Sequence, residues 1–231
     1  MANGLVRFVS LSVLIAGAAI SNAQVISFQS GNGNVGGLDS KITAISGPQT
    51  ADFAALTSTD FSNVKGGNAA SILTPLAAGW VSGLGGTSTA KWVGLEPRAG
   101  DNSTHSESGL YAINFNVGSA MSKAQLDLKF SVDDQLGGSN NEGLFLDGSA
   151  ITGSRSFTDW NNQIESKSFD LGSLSAGQHT LYFDVVNSGN GPAGLIFQGS
   201  VHNQAVPEPA SFAAVGIGLL GIARRRRVKQ A

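Results

Sequence analysis

Asp133, Asp134, Asn140, Asn141, Glu142 and Asp147 bring hard oxygen donors together in one short, glycine-bearing stretch of the chain. Calcium takes roughly six to eight oxygens from flexible backbone, so Ca2+ is the one cofactor these residues suggest. The spacing is not that of an EF-hand loop. A solvated turn, in which Asp and Asn side chains accept from neighbouring backbone N–H groups, accounts for the same residues. Asp127 and Asp133 offer a second possibility, because glycoside hydrolysis needs two carboxylates flanking one bond. Any acidic β protein supplies such pairs, and nothing nearby assigns an acid, a base or a nucleophile. His105, His179 and His202 share no helical or short metal-ligand spacing and read as turn or surface residues. The chain has no Gly-x-Ser-x-Gly elbow, phosphate-cradling loop or His-Glu-x-x-His helix, so the common hydrolase, nucleotide and zinc-protease mechanisms lack their first requirement.

Binding is the other chemistry on offer. Trp80, Trp92, Tyr111 and Trp160 could each pack an aromatic face on the apolar side of a pyranose. Trp160 sits in Phe157-Thr-Asp-Trp-Asn-Asn162, and Asn161 and Asn162 beside it would hold hydroxyls. The plain alternative is a ring covering a sandwich edge. Trp92 and Tyr111 lie in strand-like settings that suit a core.

These residues must be positioned by strands. Ile113, Phe115 and Val117 alternate with polar or small residues, as do Leu126, Leu128, Phe130 and Val132, and again Leu181, Phe183 and Val185. A period of two means strands with one face buried. Asp133-Asp134, Gly137 to Asn141, Asp147-Gly148, Ser175-Ala176-Gly177 and Asn187 to Pro192 are turn signals between them. The fold class is therefore all-β, an antiparallel sandwich. Ala51 to Leu56 and Ala69 to Leu76 read as a helical turn or loop, with Pro75 limiting any helix. With 31 glycines and no cysteine, stability must come from packing and any bound metal rather than disulfides.

The two ends are of another kind. Arg7 precedes the apolar run Leu11 to Ile20 and Ser21-Asn22-Ala23, which suits a signal peptide over residues 1–23 cut by signal peptidase after Ala23. At the other end Val206-Pro207-Glu208-Pro209 leads into an apolar run, Ser211 to Ala223, and then Arg224, Arg225, Arg226 and Arg227. Thirteen residues rise only about 20 Å as a helix, short of the roughly 30 Å hydrocarbon core. Extension through Ala210, arginine snorkelling and local thinning close that gap. The apolar residues lie all around this helix, which argues for a single transmembrane helix rather than a core helix. The arginines form a membrane stop that stays cytoplasmic, leaving the body beyond the inner membrane. Between the ends, Gln24 to Ala205 carries 8 Lys and Arg against 15 Asp and Glu, a balance of −7 that disfavours nucleic acid.

Residues 206–231 together resemble the PEP-CTERM sorting signal of Gram-negative, biofilm-forming bacteria. That resemblance implies recognition of the Pro-Glu-Pro triplet by an exosortase, and processing of an exported, at first membrane-anchored protein. The body resembles the galactose-binding-like jelly roll from about Thr87 to Val201. The likeness lies in Gly109-Leu-Tyr-Ala-Ile-Asn-Phe115, Phe130-Ser-Val-Asp-Asp134, Gly143-Leu-Phe-Leu-Asp-Gly148 and the run Leu174 to Asn187. It implies a jelly-roll winding for residues 24–205 and no particular sugar.

Three functions fit. The first is an exported, non-catalytic cell-surface or extracellular-matrix protein, associated with exopolysaccharide or biofilm. The second is a lectin-like carbohydrate-binding module on the same anchor. The third is a secreted glycoside-active enzyme. Calorimetry of the chain with millimolar calcium decides the metal question: a raised melting temperature marks a calcium site in the 133–147 stretch, and an unchanged one a solvated turn.

Overall fold

The computed structural model describes residues 24–46, 55–74, 76–97, 108–138, 140–156, 163–187 and 192–204. Among the described residues there are twelve strands and one short helix, α1 (Ser58–Lys65). In chain order the strands are β1 (Val25–Gln29), β2 (Leu38–Ser46), β3 (Asn68–Ile72), β4 (Val93–Gly94), β5 (Gly109–Val117) and β6 (Met121–Asp133). They continue with β7 (Gln135–Leu136), β8 (Leu144–Leu146), β9 (Ser149–Ala150), β10 (Glu165–Leu174), β11 (Gly177–Val186) and β12 (Gly194–Asn203).

All pairings are antiparallel. β10, β6, β12 and β1 form one layer, and β3, β2, β5, β11, β8 and β9 the other, with β7 also on β11. The short β4 bonds to both β12 and β3 and stitches the layers into one curled sheet. The chain changes layer between β1 and β2, β5 and β6, β6 and β7, β9 and β10, β10 and β11, and β11 and β12. This is the winding of a jelly roll, as the resemblance implied, built on the antiparallel sandwich that the strand periodicity predicts.

Period two explains which side chains meet inside. Leu126, Leu128, Phe130 and Val132 of β6 face Tyr111, Ile113, Phe115, Leu181 and Phe183 of the opposite layer in one buried cluster. Phe183 and Phe197 stack with ring centroids 4.3 Å apart, and Phe28 lies 5.7 Å from Phe115. Each fully buried ring or branched chain contributes about 1.5 to 3 kcal/mol from area removed from water.

The first third departs from the sequence expectation. Ala69 to Ile72 is strand rather than helical turn, because it pairs with β2 and β4. Helix α1 instead follows Thr57, whose hydroxyl accepts from the Asp60 N–H while the Asp60 carboxylate accepts from the Thr57 N–H at 2.7 Å. This capping box was legible as Thr57-Ser-Thr-Asp60. Phe61 of α1 packs against Tyr182 and Phe145, with centroids 4.9 and 5.0 Å apart, and roofs the outer face of the β5–β11 layer.

A buried carboxylate organises the loop between β1 and β2. Asp39, 1 % exposed, accepts from the N–H groups of Gly31, Asn32, Lys41 and Ile42 at 2.7 to 3.2 Å. Lys91 clamps the same loop by donating to the carbonyls of Gly31 and Gly33. Gly31 must be glycine, since its φ is +82° and a Cβ there would lie 2.4 Å from that of Lys91.

Among the described residues no helix is long and apolar enough to cross a membrane. The expected signal peptide, its cut at Ala23, and the segment 206–231 with its sorting and arginine residues lie outside the described residues. Asp39→Asn replaces an accepting oxygen with a donor facing backbone N–H groups. It is expected to lower unfolding stability by about 1 to 3 kcal/mol in urea titrations.

Candidate functional site

The outer faces of the two layers are treated differently. Helix α1 covers one. On the other, Trp80, Leu84, Trp92 and Ile196 form a small apolar cluster over the end of the layer near Asp133. The indoles lie 4.1 Å apart by centroid; Trp80 Nε1–H donates to Asp133 at 2.7 Å and Trp92 Nε1–H to the Val81 carbonyl at 2.7 Å. Beyond this cluster the outer face of β10, β6, β12 and β1 is open. It forms a polar trough of about 530 Å³.

Register decides what lines it. Ser27, Ser200, Asp127 and Ser168 stand in one row across the four strands, and Gln29, Gln198, Lys129 and Ser166 in the next. Val25, His202, Gln125 and Asp170 make a third. Asp127 is the hub: one carboxylate oxygen accepts from the Ser168 hydroxyl at 2.6 Å and the Gln125 amide at 3.1 Å. His202 Nδ1 lies 3.6 Å from the other. Strand spacing puts neighbours in a row about 4.8 Å apart, and rows about 6.7 Å apart along the strands.

A second cleft, of about 710 Å³, is bordered by Asp147, Thr152, Asp170, Ser173, Ser175 and His179. Asp147 and Gly148 form the two-residue turn between β8 and β9, with φ of +52° and +86°, a geometry that Asp-Gly tolerates. The Asp147 carboxylate accepts from the Thr180 N–H at 2.8 Å and lies 2.7 Å from His179 Nδ1, while His179 Nε2 is 2.9 Å from the Ser175 carbonyl oxygen. Both ring nitrogens thus face acceptors, and only the doubly protonated imidazolium donates to both. Burial works against that charge, but the hydrogen bonds His179 donates to Asp147 and Ser175, with the negative charge of Asp147, outweigh it and raise the His179 pKa above its ordinary value.

The acidic residues singled out by sequence are dispersed to separate tasks. Asp133, 3 % exposed, holds Trp80. Glu142 accepts from the Arg155 N–H at 3.1 Å and the Ser154 hydroxyl at 3.4 Å, and Arg155 donates to the Asn141 carbonyl. Asn141 Oδ1 accepts from the Leu56 N–H at 3.0 Å. Asp134 follows β6, its N–H reaching the Val186 carbonyl, and Asn140 is exposed in the next loop. Asp147 belongs to the His179 clip. Among the described residues no three His, Asp or Glu side chains gather where they could hold a metal ion. Asp127 and Asp133 share a face of β6 but stand six residues apart, roughly 20 Å along a strand. That exceeds the about 5 to 9.5 Å over which two carboxyls flank a glycosidic bond.

Of the aromatic candidates, Trp80, Trp92 and Tyr111 are 8 %, 1 % and 1 % exposed and serve packing. Trp160, Asn161, Asn162 and His105 lie outside the described residues. The trough residues escaped sequence reading because only strand register brings them together. The alternation of Gln125, Asp127 and Lys129 was the available signal, and it marked an outward face without naming its neighbours.

Fold and site together define an antiparallel β-sandwich with a structural interior and one open polar face. Residues 205–227 match the PEP-CTERM protein-sorting motif. That match implies an exported protein, membrane-anchored before processing by an exosortase. Among solved structures, a family 35 carbohydrate-binding module from an environmental isolate is 14 % identical, over 57 % of this chain and 90 % of that one, with a TM-score of 0.33. A family 35 module from Clostridium thermocellum is 11 % identical over 52 % and 83 %, at a TM-score of 0.30. The Podospora anserina GH26-CBM35 β-(1,4)-mannanase is 15 % identical over 73 % of this chain and 29 % of its own, at 0.33. Overlap of this degree assigns no ligand. No curated protein is significantly similar to the chain.

The His179 clip carries a pH dependence with a definite sign. Because the folded pKa is raised, its stabilisation is complete below the unfolded value of about 6.5 and disappears as pH rises through the folded value. Melting temperature is expected to fall over that interval in the parent chain. The part due to the clip is expected to be absent in His179→Gln.

Proposed function

We propose that this chain is a non-catalytic protein of the cell surface or extracellular matrix, delivered by an exosortase and associated there with exopolysaccharide. The observation that carries the reading is the sorting motif at 205–227 directly following a β-sandwich whose last described residue is Gln204. The fate of the acidic side chains supports a non-catalytic role: Asp39, Asp133, Glu142 and Asp147 each accept hydrogen bonds that fix loops or neighbouring side chains. The −7 balance of the body keeps it soluble among hydrated polymers and away from nucleic acid. A carbohydrate-binding module on the same anchor is the second reading, and the open polar trough favours it over a wholly passive body.

Proline fixes φ and biases the residue before it away from helix, so recognition of Pro-Glu-Pro is expected to be sensitive to substitution within the triplet. In an exosortase-bearing bacterium, the epitope-tagged parent is expected as a shortened form at the surface or in the matrix. Glu208→Ala and Pro207→Ala are expected to accumulate as a longer, membrane-retained form on immunoblots of fractionated cells. An undivided chain in the cytosol for the parent would overturn the reading.

A further inference from the structure

We infer that the trough on the outer face of β1, β12, β6 and β10 is a binding site for a neutral, hydroxyl-rich polysaccharide segment; this rests on the reading that the body is displayed among extracellular polysaccharide. The two rows at its centre present Ser27, Ser200 and Ser168 around Asp127, and Gln198 and Ser166 beside Lys129, while Gln29 at the margin is bonded to Thr89. Serine hydroxyls and glutamine amides both donate and accept, as sugar hydroxyls do, so either partner can supply the proton at each contact. Asp127 contributes acceptor capacity at the centre and is 47 % exposed, so a ligand hydroxyl can reach it.

The same residues argue against other occupants. A protein partner is recognised through aromatic and apolar anchors, with Ser and Lys depleted, whereas these two rows contain neither an aromatic nor an aliphatic side chain. Nucleic acid requires a cationic surface, and here Lys129 is offset by Asp127 and Lys167 by Glu165, its partner at 2.8 Å, within a body of balance −7. A strongly anionic polymer meets the same obstacle. The trough is walled at one end by the Trp80 and Trp92 cluster, where Ile196 and Ser131 make the next register pair, and it runs out past His202 at the other. A linear segment therefore lies along the strands and abuts that wall.

Affinity electrophoresis of the full-length chain in detergent, through gels containing dextran, xylan, mannan, mixed-linkage β-glucan or alginate, tests the inference. Retardation by at least one of the four neutral polymers is expected. Ser200→Arg, which fills the central row, and Gln198→Ala, which removes only an exposed amide, are each expected to weaken it about tenfold. Ser62→Arg on the exposed side of α1 leaves it unchanged. Melting temperatures confirm folding, and Gln198→Ala decides the matter if Ser200→Arg proves unstable. Retardation that survives Gln198→Ala, retardation by alginate alone, or none with any neutral polymer would overturn the site. Surface delivery of the same variants is scored in parallel. Delivery without polymer binding removes the trough and leaves the surface reading standing, whereas a chain retained in the cytosol removes that reading itself.

Discussion

Strand β12 is the constraint on which the architecture depends. Along its length it is bonded to β6 on one side and to β1 and, through Leu195, to β4 on the other, and its inward Leu195, Phe197 and Val201 lie at the centre of the core. Without cysteine, no disulfide ties the two layers together, so the apolar seam around Phe28, Phe115, Phe183 and Phe197 must hold them by shape. A strand needed on both edges and on its inner face leaves only its outer face free to vary. That outer face is where Gln198, Ser200 and His202 stand.

The acidic side chains follow from the same economy of support. Loops rich in glycine gain conformational freedom that must be lost on folding, and a carboxylate accepting several N–H groups offsets that loss locally. Asp39 fixes the β1–β2 loop, Asp147 ties a hairpin turn to β11 through Thr180 and His179, and Asp133 anchors an indole. An acid-rich composition therefore accompanies a body in which these carboxylates are engaged structurally. The edge strand β10 shows a related device: Glu165 and Lys167 pair at 2.8 Å on the edge, and charges there discourage pairing with another chain.

Much of this was legible in the residues themselves. Alternation located β5, β6 and β11, Asp147-Gly148 marked a hairpin turn that the backbone confirms, and the tail at 205–227 carried its own address. Helix α1 was not expected, although Thr57 and Asp60 carry its capping box, because eight residues with only Phe61 and Val64 buried show little apolar periodicity. Ala69 to Ile72 was misjudged because its strand character comes from its partners β2 and β4, not from its own pattern.

By itself the sequence determined period-two strands, the turn chemistry between them and the sorting signal after them, since each depends only on residues a few positions apart. Tertiary structure alone decided that Asp133 serves Trp80 while Asp147 serves His179, although both belong to one acidic stretch. It alone decided that Ser27, Ser200, Asp127 and Ser168 form a row. The physical reason is register: shifting a strand by one residue turns every side chain to the opposite face, and what fixes register is packing between residues far apart in the chain.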